Sequence, residues 1–208
     1  MHFLHIRKTG GTAVKTALYP WAGAIELRLH PHHTTLADIP VGERVICILR
    51  DPVERFVSGF NSRLRRGAPR FDRPWNAGEE IAFARYDTPG ALADGLVADD
   101  PQAIEAMHAI RELGRAQADW LPQALIEQRR GDLLWIGHND TLDNDFERLK
   151  GLLSLPRDVR LPADDIAAHR TPPEYSRSLS PTGRRALQEM FACDYRLIAW
   201  AREMAVRA

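Results

Sequence analysis

The chain has 208 residues, 44% hydrophobic and 27% charged, with 28 Lys and Arg balanced by 28 Asp and Glu. That length suits one domain with an ordinary buried core, and the hydrophobic content excludes a disordered chain. Balanced charge and a pI near 7.1 argue against a dedicated duplex-DNA binder, which would carry a strongly basic face. The charge is nonetheless uneven. Seven Arg lie between Arg50 and Arg73 against Asp51, Glu54 and Asp72, while Asp87 to Glu105 carries five acids and no Lys or Arg. Cys47 and Cys193 are too few and too far apart for a disulfide framework or a four-ligand zinc site, and both read as reduced core thiols. No apolar run approaches the roughly 20 residues that span a bilayer. The chain opens with His, Arg and Lys rather than with a signal peptide, so a cytoplasmic location with no membrane span and no nucleic-acid partner is expected.

Phe3 to Ile6 reads as a strand that ends in the turn Lys8-Thr9-Gly10-Gly11-Thr12, after which Val14 and Leu18 recur at helical spacing. Ala24 to Leu29 alternates as a second strand, followed by the polar stretch His30-Pro31-His32-His33-Thr34-Thr35. Arg44 to Leu49 is a run of the kind that suits a strand covered on both faces of a parallel sheet. A helix follows at once, with Asp51 as its cap, Pro52 at the first position and Glu54 three residues after the cap. Gly67 to Gly78 reads as a surface loop. Thr88-Pro89 and Asp100-Pro101 each start a helix, the pair running to about residue 119. Leu133 to Ile136 is a further strand and Asp143 to Leu153 a further helix. Residues 154 to 180 form a long Pro-bearing loop, of a length that is usually functional or disordered. Ser180-Pro181 opens a C-terminal helical region with Leu187, Phe191, Tyr195, Ile198 and Ala205 as its buried stripe.

Alternating strands and helices give an α/β fold: a P-loop-like parallel sheet flanked by helices, a single domain over 1–208 with a mainly helical insertion at about 67–130. In such sheets ligands bind beyond the carboxyl ends of the strands, and two strand-end junctions carry unusual residues. At the first, Gly10 and Gly11 permit close backbone approach, the helix start favours an anion, Lys8 adds charge, and Thr9 and Thr12 add hydroxyls. The spacing is not that of nucleoside triphosphatases, which place Gly before and Ser or Thr after the Lys at the end of the loop. The bland reading is a plain Gly turn with a solvated Lys. At the second junction, Asp51, Arg55, Ser58 and Ser62 share one helical face beside Arg50, while Val53, Phe56, Val57 and Phe60 occupy the other. Arg55 reads equally as a salt-bridge partner of Asp51 or Glu54.

Taken together, Lys8-Thr9-Gly10-Gly11-Thr12 and Arg50-Asp51-Pro52-x-x-Arg55-x-x-Ser58-x-Phe60 resemble the paired signature of sulfotransferases, in the branch of carbohydrate sulfotransferases and small bacterial members. Leu134-Trp135-Ile136-Gly137-His138 with Leu142, Asp145 and Phe146, and the ending Phe191-x-x-Asp194-Tyr195-x-Leu197, extend the resemblance nearly to the C-terminus. The resemblance implies 3′-phosphoadenosine 5′-phosphosulfate as co-substrate, with no metal. Lys8 to Thr12 would bind its 5′-phosphosulfate, and Arg50 with Ser58 its 3′-phosphate. It also implies a hydroxyl-bearing acceptor, a carbohydrate or small metabolite. Two separate anion sites suit a ligand charged at both ends, whereas a triphosphate needs one cluster and a magnesium-holding acid, a place that only Asp51 approaches.

In-line sulfuryl transfer builds charge on the leaving oxygen, where Lys8 and the helix-start N–H groups stand to stabilise it by about 3 kcal/mol per donor. The acceptor must lose a proton, and His30, His32 and His33 are the His bases to hand. In related sequences the base is followed by Ser or Thr two residues on and by an acid and an apolar residue five and six on. His33, Thr35, Asp38 and Ile39 match that spacing, which favours His33 over His32. Glu26 is the stand-in for family members that use Glu. The three histidines read otherwise as polar loop residues or, less well, as metal ligands. His5 and His138 read as structural. In the long loop His169-Arg170-Thr171-Pro172-Pro173, Arg170 is either a nucleotide contact or a solvated side chain. Arg63, Arg65, Arg66, Arg70 and Arg73 either line an acceptor groove for an acidic glycan or form a solvated helix end. The alternatives to a sulfotransferase are a nucleotide-dependent kinase and a non-catalytic nucleotide-binding protein that retains the fold.

Overall fold

Val45–Leu49 is buried at all five positions, as its unbroken apolar run requires, and forms the central strand β3. In the computed structural model, which describes residues 1–168 and 170–207, His169 lies outside the described residues, and so does the side chain of Ala205. Strand β1 (His2–Leu4) leads through helix α1 (Gly11–Leu18) to β2 (Arg28–Leu29), and β3 is followed by β4 (Leu133–His138). All pairings are parallel, in the order β2-β1-β3-β4, with Leu4 opposite Cys47 and Leu49 opposite His138. The chain therefore runs from β1 to a neighbour on one side and then crosses to β3 on the other. That reversal of strand order is a switch point, the place where α/β sheets bind ligands beyond the carboxyl ends of the strands, here β1 and β3. The expected parallel α/β sheet is present, and the two singled-out turns follow the carboxyl ends of β1 and β3.

The period of two along the strands sorts the core. Leu4, Val45, Cys47 and Leu49 pack with Trp120, Ile126, Leu197 and Ala201 on one face, while Phe3, Ile46 and Ile48 pack with Val14, Leu18, Trp135 and Phe146 on the other. Cys47 is wholly buried, and burial pushes its thiol up to about 12, so it is inert. Cys193 is only half-buried, which corrects its reading as a core thiol.

The second strand is much shorter than the alternation over Ala24 to Leu29 suggests. Ile25 N–H bonds to the Trp21 carbonyl and Leu27 N–H to that of Ala22, and Glu26 takes a φ of +49°, so these backbone groups serve a turn instead of a ladder.

The chain divides into two packed units. Residues 1–51, 117–169 and 196–208 hold the sheet, with helices α6 (Gln123–Gln128) and α7 (Leu142–Leu152). Residues 52–116 and 170–195 form an all-helical unit with α2 (Pro52–Leu64), α3 (Ala77–Arg85), α4 (Pro89–Val97), α5 (Pro101–Ala109) and α8 (Pro181–Met190). Helix α9 (Ala192–Arg207) ends the chain. The caps of α4 and α5 are those expected: the Thr88 hydroxyl accepts from Ala91 N–H, and the Asp100 carboxylate from Gln102 N–H. Helix α3 is additional, opened by a reciprocal capping box between Asn76 and Glu79 that the loop reading of Gly67 to Gly78 passes over. No helix among the described residues is long and apolar enough to cross a membrane.

In the helical unit Arg63 and Glu79 are buried together, with Arg63 Nε and Nη2 donating to the two carboxylate oxygens at 2.7 and 2.8 Å. Arg63 also donates to the carbonyls of Arg73 and Pro74, tying the loop to α2. Arg63 is thus a structural residue and is withdrawn from both readings of the arginine group. Burial raises the Glu79 carboxyl, but the Arg63 hydrogen bonds and the N–H groups of Asn76 and Arg111 outweigh it and leave the group below the usual glutamate range. Removing one partner leaves an uncompensated buried charge: Glu79→Gln is expected to cost about 3–5 kcal/mol in urea unfolding. Arg63→Met with Glu79→Met should cost less than either single change. Because the folded carboxyl is depressed, its contribution is present above about pH 4.3 and is lost as pH falls through the lower folded value. Glu79→Gln should flatten that acid limb of stability against pH.

Candidate active site

The turn between β1 and α1 is shaped by its carbonyls. Arg50 Nη1, at the end of β3, donates to the Lys8 carbonyl at 3.2 Å, and Asn139 Nδ2, past the end of β4, donates to the Thr9 carbonyl at 3.1 Å. In a trans peptide the following N–H points the opposite way, so tying these carbonyls inward turns the N–H groups of Thr9 and Gly10 outward. Gly10 caps α1 at φ +93° with no side-chain cap, and no acid lies in the first turn. Among the described residues, no group accepts from the backbone N–H of Thr9, Gly10, Gly11 or Thr12. Four backbone donors without an acceptor at a helix start have the form of a nest, an arrangement that suits an anion.

The glycines are required for a different reason from the one the sequence suggests. A Cβ on Gly10 would lie 2.6 Å from Asn139 Nδ2, and one on Gly11 would lie 2.5 Å from the His5 ring. Protein atoms fill those spaces, so the glycines let Asn139 and His5 pack against the turn. Lys8 itself adopts φ +63°, a left-handed conformation that costs a non-glycine residue about 1–3 kcal/mol and is held by the bond from Arg50. The Thr9 hydroxyl, expected to face a ligand, is buried and donates to the Ile6 carbonyl at 3.0 Å; it braces the turn. Thr12 is half-buried in the first turn of α1.

Arg50 is fixed in turn by a residue that the sequence did not single out. The wholly buried Gln117 accepts from Arg50 N–H at 2.9 Å and donates to the Arg50 carbonyl at 2.8 Å, extending the end of β3 as a neighbouring strand would. Nothing in the local pattern around a single Gln signals this pairing, which joins positions 67 apart.

The histidines separate. His30 stacks on His2 with ring centres 5.0 Å apart and a 2.8 Å contact between ring nitrogens. Burial holds both rings below the ordinary histidine range, with Arg28 adding to the effect at His30. His32 packs on the buried His5, ring centres 3.9 Å apart, and His32 Nδ1 lies 2.9 Å from the His5 carbonyl oxygen. A carbonyl can only accept, so Nδ1 carries the proton and neutral His32 has its lone pair on Nε2. Trp120 Nε1 donates to the His32 carbonyl at 2.7 Å and fixes the backbone there. His33 is the next residue of the same turn and is exposed. Its spacing partners Thr35 and Asp38 form the capping box of a short 3₁₀ turn, a local anchor. Glu26 lies beyond the amino end of β2, where its carbonyl accepts from the chain's first nitrogen, at the end of the sheet opposite the nest. His138, at the end of β4, is buried, and burial lowers its pKa. Among the described residues no group of three or more His, Cys, Asp or Glu is placed to hold a metal ion.

In the helical unit, Ser58 is half-exposed on α2, and Arg55 is buried and donates to the Arg115 carbonyl. Glu54 pairs with Arg184 at 3.5 Å.

The search of curated proteins and the search of solved structures each returned no match. The family model described as "Sulfotransferase family" matches residues 1–199. That match takes in every strand and both strand-end turns, and it shows that the chain belongs to the sulfotransferase family, enzymes that transfer a sulfuryl group.

Proposed function

We propose that the protein transfers the sulfuryl group of 3′-phosphoadenosine 5′-phosphosulfate to a hydroxyl of a carbohydrate or small metabolite, with His32 as the general base. The observation that carries this reading is the nest of four N–H groups at Thr9 to Thr12, set beside Lys8 and Arg50 and one ring away from a histidine of fixed tautomer. A nest of that size fits the phosphosulfate end of the donor. Ser58 keeps the 3′-phosphate role on its motif position alone.

The acceptor oxygen attacks sulfur in line, its proton passing to His32 Nε2, while the bond from sulfur to the bridging oxygen breaks and its electron pair stays on that oxygen. The nest and Lys8 stabilise the charge left there, and being fixed by Arg50 and Asn139 they need no rearrangement as it develops. His32 is favoured over His33 because the His5 carbonyl orients its ring, much as a carboxylate or carbonyl orients the base in other general-base sites.

Binding of 3′-phosphoadenosine 5′-phosphate should raise the melting temperature of the native protein, and Lys8→Ala or Arg50→Ala should reduce that rise. No rise at millimolar nucleotide would overturn the donor assignment. With labelled donor and an array of hydroxylated acceptors, Lys8→Ala is expected to lower kcat by about 10²–10³-fold. The base is tested separately. The kcat/KM of the native enzyme should fall as the pH is lowered and the base becomes protonated. His32→Ala should remove that limb and lower kcat by about 10²–10⁴-fold, while His33→Ala leaves both unchanged. The reverse pattern would reassign the base to His33.

A further inference from the structure

The buried arginines of this chain have their charges met in different ways. Arg63 faces Glu79, and Arg129 faces Asp132 at 2.8 Å. Arg65 is only 7% exposed, yet among the described residues no carboxylate lies within ion-pair distance of it. Its Nη1 makes a long bond of 3.4 Å to the Arg170 carbonyl, and the Tyr175 ring lies 6.0 Å from its guanidinium carbon. Nε and Nη2 are both buried without a partner. Those two atoms form one edge of the guanidinium plane, the fork that holds both oxygens of a carboxylate, phosphate or sulfate. Burial pulls the Arg65 pKa down, opposed by Tyr175 and Glu174.

A cation at a helix C-terminus can serve the helix alone, and Arg65 does follow α2, with its N–H bonded to the Asn61 carbonyl. The unmet fork, however, donates to none of the closing carbonyls. One turn earlier stands a second unmet group. Asn61 is 1% exposed; its Nδ2 donates to the Ser176 carbonyl at 2.8 Å, and its Oδ1 is buried without a partner. A two-donor fork and a lone acceptor, about 5–6 Å apart at Cβ, thus lie together beneath the segment 170–176.

We propose that Arg65 and Asn61 form a binding site for an oxyanion with a hydroxyl on a neighbouring carbon, the oxyanion in the Arg65 fork and the hydroxyl donating to Asn61 Oδ1. The 170–176 segment is the cover that lifts to admit it, since both of these side chains donate to its carbonyls. Two sources share this chemistry: the acidic group of a sugar, and a ribose phosphate with its free vicinal hydroxyl. The site stands on the helical unit alone, and only its assignment to the acceptor rests on the sulfotransfer reading.

The test uses the Lys8→Ala/Arg50→Ala variant, in which the response of the strand-end nest is reduced, so failure of the donor assignment leaves the test intact. Sodium sulfate, glucuronic acid and adenosine 3′-phosphate are titrated by calorimetry and thermal unfolding against sodium chloride of equal ionic strength. Arg65→Met should weaken binding by about 30-fold or more, and Asn61→Ala should weaken the two hydroxylated ligands but not sulfate. Unliganded Arg65→Met should melt no lower than its parent, because it removes an unanswered buried cation. Preference for glucuronic acid identifies an acidic acceptor, and preference for adenosine 3′-phosphate a nucleotide. In the unmodified chain, the Arg65 Nε–H resonance, assigned by its loss in Arg65→Met, should move on sulfate titration. Absence of binding by all three probes, or binding that survives Arg65→Met, overturns the proposal, as does a marked loss of stability in unliganded Arg65→Met.

Discussion

The hydrogen bond from the Arg50 guanidinium to the Lys8 carbonyl ties the end of β3 to the turn that leaves β1. It exists because β1 and β3 are parallel neighbours, so that their carboxyl ends arrive side by side. Turning that carbonyl inward turns the next N–H outward, and Asn139 repeats the device one residue on. A surface that presents only donors follows from where two carbonyls are anchored. In the proposed reading, anion binding there is a property of backbone direction first and of the Lys8 charge second.

Buried polar groups do the positioning around this turn. Gln117 holds both backbone groups of Arg50, Thr9 braces the turn from beneath, and the His5 carbonyl sets the tautomer of His32. Each of these groups would be costly to bury alone and is satisfied by one specific partner, so each has one arrangement available. That rigidity suits a reaction whose barrier is lowered by donors already in place.

The helical unit holds both a matched buried pair and an unmatched one. Arg63 with Glu79 is a closed account of donors and acceptors, whereas Arg65 and Asn61 leave three atoms unmet in the interior. Local rules identify the strained or unsatisfied positions of a fold as the places to look for a ligand.

Much of the frame was legible in the residues. The β-branched run of Arg44 to Leu49, the caps at Thr88 and Asp100, and the two strand-end motifs each depend on neighbours within a few positions, and such signals survive in one dimension. The alternation over Ala24 to Leu29 misled because its backbone groups found nearer partners in a turn. Spacing pointed to His33, but which of two adjacent histidines meets the His5 carbonyl is set by how the 31–34 turn lies against β1. The arginine group looked uniform, yet Arg63 and Arg65 differ wholly in what faces them. The sequence by itself determined the elements, the parallel sheet and the pair of turns, since these follow from local propensity and patterning. Only the tertiary structure decided which carbonyls are tied, which histidine is oriented and which buried charge is unanswered, because those depend on contacts between residues such as Arg50 and Gln117, or His5 and His32, that are remote along the chain.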